Sequence, residues 1–349
     1  MATIIDADFY TVRKNMTCPA DGELYLIIRR IRAPWGVRIC RTLNHGVNWQ
    51  ILYEGILAGT SGHTTVCNRS FGNYFIGDEY YCLFVTTDFI TFTERKIDVP
   101  LESLDKCYDI FVTPYSHNQI WISGRDAADR DAEAYSISAG ATFDWQVGIG
   151  SHTDYSRRTR MSNSAPLHGI KGDAGASGWD VPMYWNGAAW VNTASPYRCS
   201  YPGYDGTTAL FGLKNTLTVM GISVDHGATV SDLVIPVGMQ GGSWPNYYPT
   251  MSVKGNTFAV SVNNGNDPGI WMSWDLGVNW TKTLDVAILG TWTTICVEID
   301  PFDADIVFAW GDNGMWRSTD GGVTWVGSGV IGVIINKPVV TTLPATDIT

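Results

Sequence analysis

Apolar and polar positions alternate along this chain in short runs, and clusters of Gly, Asp, Asn and Pro cut the runs apart. The C-terminal part shows the pattern best. Residues 293–299 read as a first strand, 300–305 as a turn and 306–310 as a second strand. Residues 311–314 turn into a third strand over 315–318, and a fourth begins at Val326. Near the N-terminus the same template places strands over 24–31, 37–42 and 50–53. Short strands bounded by turn formers at this spacing predict an all-β chain. No heptad repeat or helix-period stretch of useful length interrupts them. No apolar run reaches the ~18 residues of a membrane-crossing helix, so no membrane insertion is expected.

Between the third and fourth strands of each unit lies a recurring octet. Ser318-Thr319-Asp320-Gly321-Gly322-Val323-Thr324-Trp325 has a second copy in Ser273-Trp274-Asp275-Leu276-Gly277-Val278-Asn279-Trp280. A third, Ser223 to Val230, ends in Val and carries Asp225. A fourth, Thr42 to Trp49, has Asn44 at the acidic position. The residue types travel together for physical reasons. The Asp or Asn side chain accepts backbone N–H groups inside the turn. Gly takes a backbone angle closed to other residues, and the Ser or Thr hydroxyl satisfies a further backbone group. The aromatic is expected to fold back onto its own hairpin. Weaker copies fill the gaps. Ser136 to Phe143 has Ser138 in place of Asp, Thr86 to Phe92 keeps Asp88 but is one residue shorter, and Tyr184 to Trp190 is an Asn-Gly hairpin with aromatic flanks. Starts at 42, 86, 136, 184, 223, 273 and 318 are separated by 44, 50, 48, 39, 50 and 45 residues. A four-stranded propeller blade needs roughly 40–50.

The octet resembles the Asp-box, or bacterial neuraminidase repeat, of sialidase-like β-propellers. That resemblance implies a β-propeller, here of seven four-stranded blades, in which each box joins the third and fourth strands away from the ligand-binding face. It therefore implies a structural, not catalytic, role for Asn44, Asp88, Asp225, Asp275 and Asp320. Residues 1–336 form the expected propeller and 337–349 a Thr/Pro-rich tail. The fourth blade is the soft point: residues 146–182 contain few strand-like runs, so a loop excursion on a reduced blade is expected, with six blades plus an insertion as the alternative.

The family includes glycoside hydrolases, so catalysis must be weighed. A sialidase resembling the family would need three arginines on the substrate carboxylate, a Tyr–Glu nucleophile and an Asp acid/base. Arg30-Ile31-Arg32-Ala33-Pro34 is only a rough likeness of the usual Arg-Ile-Pro signature, and after Arg198 the sole arginine is Arg317, next to a box. The loop carboxylates Asp78, Glu79, Asp126, Asp129, Asp131, Asp180 and Asp205 could pair in a generic glycosidase, but nothing in the sequence brings them together. No catalytic residue is assigned. Phosphate-loop, nucleophile-elbow and dinucleotide signatures are lacking; no cofactor or metal is expected.

Charge and cysteine usage narrow the partners. The net charge is −11, which argues against nucleic acid, because phosphate binding needs a basic surface. Arg157, Arg158 and Arg160 form one basic patch, either a solvated loop or an anion or acidic-glycan contact. The 7 cysteines include no Cys-x-x-Cys pair, and Cys40, Cys82 and Cys296 sit in apolar strands, which favours free thiols. His45 and His226 fall in box turns, where exposure is expected. The N-terminus shows no secretory signal pattern. The better functional lead is aromatic. Residues 241–249 carry Trp244, Tyr247 and Tyr248 in a Gly/Pro loop, with Trp179 and Tyr204 in similar settings. Aromatic faces beside Asp and Asn suit sugar rings or protein partners. The expectation is a non-enzymatic binding or structural propeller that recognises a glycan or protein surface, of the kind found on a bacteriophage virion (tail or head surface) among other virion proteins. A glycoside hydrolase and an assembly scaffold are the rivals.

Overall fold

The computed structural model describes residues 9–12, 17–30, 37–55, 64–70, 72–78, 82–95, 97–99, 102–112, 119–126, 131–147, 160–161, 168–174, 180–187, 189–193, 197, 202–214, 218–240, 250–263, 265–289, 295–311 and 314–328. They form seven antiparallel sheets, each built from strands consecutive in the chain. The sheets are the seven blades of a β-propeller, so the six-bladed alternative falls. Blade 7 runs Cys296–Ile299, Val307–Gly311, Gly314–Ser318, Val326–Ser328. Blade 6 runs Met251–Lys254, Thr257–Val262, Gly269–Ser273, Thr281–Asp285. Blade 5 runs Gly203–Tyr204, Ala209–Leu213, Val219–Ser223, Ser231–Val234. Blade 2 runs Thr64–Ser70, Asn73–Asp78, Cys82–Thr86, Thr93–Arg95.

Three blades vary the plan. In blade 1 the innermost strand comes in two pieces, Phe9–Val12 and Thr17–Ala20, both paired with Glu23–Arg30; Val37–Thr42 and Gln50–Gly55 follow. Blade 3 adds a short leading strand, Ile97–Val99, to Glu102–Val112, Ile120–Asp126, Asp131–Ser136 and Asp144–Val147. Blade 4 consists of Arg160–Met161, Gly169–Ala174, Asp180–Trp185 and Trp190–Asn192. Two of its strands and the start of a third thus lie inside the 146–182 stretch expected as an excursion. The first has only two residues, and Gly169-Ile170-Lys171-Gly172-Asp173-Ala174 has little β-branched content, so backbone pairing rather than side-chain pattern makes it a strand.

The core is seven seams, one between each pair of neighbouring blades. Strand alternation sends successive side chains to opposite seams. Leu24, Leu26 and Ile28 pack with Phe308 and Trp310 of blade 7, whereas Tyr25 and Ile27 pack with Ile76 and Phe84 of blade 2. Both faces of each blade are covered, so its inner strands read as apolar runs. The blade 7–blade 1 seam closes the ring, and it is also bridged by polar groups. Arg317 Nε donates to His45 O at 2.5 Å, and His45 Nδ1 is hydrogen-bonded to the buried Asp300 carboxylate at 2.9 Å. The blade 1–blade 2 seam holds a buried polar cluster. Arg69 grips both oxygens of Glu23 at 2.8 and 2.6 Å, Tyr25 also donates to Glu23, and Arg41 donates to Tyr74.

Candidate functional site

The octets sit between third and fourth strands in the blades, as the sequence pattern predicts, and act as clasps. In blade 7, Ser318 Oγ accepts the N–H of Gly322 at 2.8 Å and donates to Asp320 Oδ1 at 2.7 Å. Asp320 in turn accepts the N–H and hydroxyl of Thr324 at 2.8 and 2.6 Å. Blade 6 repeats this with Ser273, Asp275 and Asn279, and blade 5 with Ser223, Asp225 and Thr229. Asn44 does the same through one oxygen, accepting Asn48 N–H at 2.9 Å. Ser138 replaces the carboxylate by accepting Thr142 N–H at 2.9 Å. In the shorter blade 2 copy, Asp88 accepts the N–H groups of Ile90 and Thr91. These bonds stabilise ionised carboxylates. The Thr324 hydroxyl, foremost, holds Asp320 down at about 2, and the Thr91 N–H likewise lowers Asp88.

Three features of the clasps go beyond the sequence pattern. First, the residue before the clasp glycine is also left-handed: His45, Ala139, His226 and Leu276 have φ of 52 to 63°. Its N–H reaches the hairpin between the first two strands of its own blade: His45 to Gly22 O, His226 to Thr207 O, Leu276 to Asn256 O and Gly321 to Asp305 O. Clasps and inner hairpins therefore share one face of the disc. Second, the clasp glycines other than Gly187 press against the preceding blade. A Cβ on Gly46 would lie 2.5 Å from the Phe308 ring, and on Gly140 2.7 Å from that of Phe75. Third, the terminal residue packs into the seam with the preceding blade instead of lying on its own hairpin. This holds for Trp49, Phe92, Phe143, Trp190, Val230, Trp280 and Trp325. The seam is the nearest apolar volume. Trp325 Nε1 even donates across it to Thr283 Oγ1 at 3.1 Å.

The central channel is lined by the first strands. Its polar side chains stitch neighbouring blades together. Thr17 Oγ1 donates to Cys67 O at 2.5 Å, and Asn68 Nδ2 to Ile110 O at 3.0 Å. Thr250 and Ser252 hydroxyls each accept a backbone N–H of blade 7 at 2.9 Å, and Ser252 donates on to Glu298 at 3.4 Å. Asp205, one of the loop carboxylates considered for catalysis, caps its own turn through Thr207 and Thr208 N–H and takes Gly255 N–H of blade 6 at 2.7 Å. Asp78, Asp126, Asp131 and Asp180 lie at strand ends; Glu79 and Asp129 lie outside the described residues.

The sequence-derived binding residues divide sharply. Trp179, Trp244, Tyr247, Tyr248, Arg157 and Arg158 lie outside the described residues, as does the tail 337–349. The ends that bracket them (Val147 and Arg160, Ala174 and Asp180, Gln240 and Thr250) emerge at the face opposite the clasps, because neighbouring strands are antiparallel. Arg160 itself is in the first strand of blade 4, paired with Ile170. Tyr204 is elsewhere. It is half-buried on the clasp face, its hydroxyl donating to Gly206 O at 3.0 Å and lying 3.3 Å from His226 Nδ1, and burial raises its pKa. His226 is not fully exposed either; it stacks on His168 with ring centroids 4.0 Å apart. The His168–His226 and His45–Asp300 contacts left no sequence signal, since those partners come from different blades. Cys40, Cys67, Cys107 and Cys296 are buried free thiols; burial raises Cys40 to about 12.

No family model matches this chain, and no curated protein matches it. Solved structures do. One is YCF48 bound to D1 peptide, 12% identical, covering 90% of this chain and 93% of that one with a TM-score of 0.58. A second is a Mycobacterium tuberculosis puromycin-hydrolyzing peptidase, 13% identical over 93% of this chain and 54% of that one, TM-score 0.56. A third is the GH74 enzyme of Niastella koreensis, 14% identical over 91% and 54%, TM-score 0.50. The chain spans about half the length of the latter two. At these identities the likeness carries the fold alone: this chain is a β-propeller.

Proposed function

We propose that this chain is a non-enzymatic binding propeller of the Asp-box type. It recognises a glycan or protein partner through the loops opposite the clasps, with Trp179, Trp244, Tyr247 and Tyr248 as contacts and Arg157, Arg158 and Arg160 meeting acidic groups. One observation carries the reading. The carboxylates of the clasps and of Asp205 and Glu298 in the channel are engaged in the propeller's own hydrogen bonds, bracing turns and neighbouring blades. A hydrolase would need two such groups turned to one substrate. The Ser–Asp–Gly–Thr bonding of blades 5 and 7, with Asn279 in place of Thr in blade 6, supports the Asp-box assignment. A similar fold holding a peptide, YCF48, supports recognition as its work. The assembly we assign it to is a bacteriophage virion, and four buried free thiols suit a chain folded in a reducing cytosol before assembly.

The test is a glycan array and a host-surface binding assay with the parent chain and the Trp244→Ala/Tyr247→Ala variant. The variant should lose binding while keeping its melting temperature. Unchanged binding refutes the aromatic contact, and turnover of a glycoside by the parent chain replaces the reading with the glycoside hydrolase that the GH74 likeness suggests.

A further inference from the structure

The clasp face has two properties beyond the bonding of its turns. At the second or the sixth position of the clasp, on either side of the bonded Asp and Gly, six blades expose an aliphatic side chain. Leu43 and Val47 lie in blade 1, Ile90 in blade 2, Ile137 in blade 3, Val224 in blade 5, Val278 in blade 6 and Val323 in blade 7. Their exposures run from 58% for Val323 to 77% for Val278. Single exposed aliphatics are ordinary on a protein surface. Exposed aliphatics at the second or the sixth clasp position in six blades of a ring are a surface property, and tight turns otherwise favour polar residues there. Phe302, 39% exposed in the inner hairpin of blade 7, extends the apolar ring inward.

The second property is charge. The inner hairpins add Asp21, Asp303 and Asp305, all exposed, to the clasp aspartates Asp88, Asp225, Asp275 and Asp320. Among the described residues the cations beside these turns are Lys254, Arg317 tied to His45 O, Arg69 paired with Glu23, and the buried Arg41. We propose that the clasp face is a second interaction surface, for a basic amphipathic protein segment. Such a segment lays apolar side chains among the clasp aliphatics and sets its lysines or arginines against the aspartates. A second copy of this chain fits poorly, because two such faces would oppose aspartate to aspartate. Nucleic acid is repelled for the same reason. The surface is distinct from the loop face proposed above.

The test uses the intact chain and two labelled peptides of equal length and charge, one lysine–leucine amphipathic and one lysine–serine. Fluorescence anisotropy should give at least about tenfold tighter binding of the lysine–leucine peptide, a ratio of about 1.4 kcal/mol. Its affinity should fall as salt rises. Ile90→Ser/Val278→Ser/Val323→Ser should remove most of the preference without moving the melting temperature, whereas Trp244→Ala/Tyr247→Ala should leave it intact. Equal binding of the two peptides, or an unchanged preference in the triple variant, overturns the proposal. A concentration-dependent dimer of the parent chain that the triple variant abolishes also overturns it, in favour of self-association.

Discussion

Gly46→Ala separates two reasons for the clasp glycine. Gly46 has φ +78, and an added Cβ would sit 2.5 and 2.9 Å from ring atoms of Phe308, which is fully buried and has no room to withdraw. Gly255, in the inner hairpin of blade 6, has φ +58 and nothing within 4 Å of its Cβ position. Both substitutions place alanine in the left-handed region, at about 1–2 kcal/mol, offset by about 0.4–1 kcal/mol through the less flexible unfolded chain. Gly255→Ala should therefore cost roughly 0–1.5 kcal/mol. Gly46→Ala adds overpacking of about 1–3 kcal/mol. With an unfolding entropy of ~2.1 cal/mol/K per residue, each kcal/mol shifts the melting temperature of a 349-residue chain by about 1.4 °C. Differential scanning calorimetry should place Gly46→Ala a further ~1–4 °C below Gly255→Ala. Gly327→Ala, whose Cβ meets nothing and whose φ is not positive, keeps only the gain of about 0.4–1 kcal/mol from the less flexible unfolded chain and should melt about 0.5–1.5 °C above the parent. Equal shifts for Gly46→Ala and Gly255→Ala would refute the seam contact and leave backbone conformation as the whole requirement.

Other expectations follow from the same contacts. Ser273→Ala leaves the buried N–H of Gly277 without its 2.8 Å acceptor and should lower stability by about 1–3 kcal/mol in urea titration; a neutral result would mean the clasp re-bonds to water. Glu23→Gln removes the charge facing Arg69 inside the blade 1–blade 2 seam and should cost about 2–4 kcal/mol, whereas Arg38→Gln, whose partner Glu54 is exposed, should cost under about 1 kcal/mol. On pH, Asp320 is held at about 2, foremost by the Thr324 hydroxyl, and Asp275 is lowered chiefly by Asn279 N–H. Folded values below unfolded ones stabilise the protein above the unfolded pKa of ~4, and that contribution is lost as pH falls towards ~2. Tryptophan fluorescence should show Asp275→Asn/Asp320→Asn flattening this acid limb, since Asn44 already serves blade 1; an unchanged limb would assign it to other carboxylates.

Blade count and clasp chemistry were legible in the chain because they are local. A Ser, an Asp or Asn, a Gly and a Thr within eight residues make their bonds to one another, whatever the rest of the molecule does. The intervals between clasps therefore counted blades, and even the degenerate copies at Thr86, Ser136 and Tyr184 marked real third-to-fourth strand turns. Residues 146–182 read as an excursion on a reduced blade because the strands there are held by backbone pairing, which leaves no side-chain pattern. The seams were invisible for a different reason. That Gly46 faces Phe308, that Arg317 and Asp300 meet His45, and that His168 stacks on His226 depends on which blade follows which around the ring and on its closure. The same holds for the clasp face. Each exposed Val or Ile looked like an ordinary turn residue, and only the circular arrangement places them beside the aspartates of the inner hairpins. Hydrogen bonds within a turn are set by short-range sequence, whereas seams and faces arise from packing between segments distant in the chain, which only the folded ring brings together.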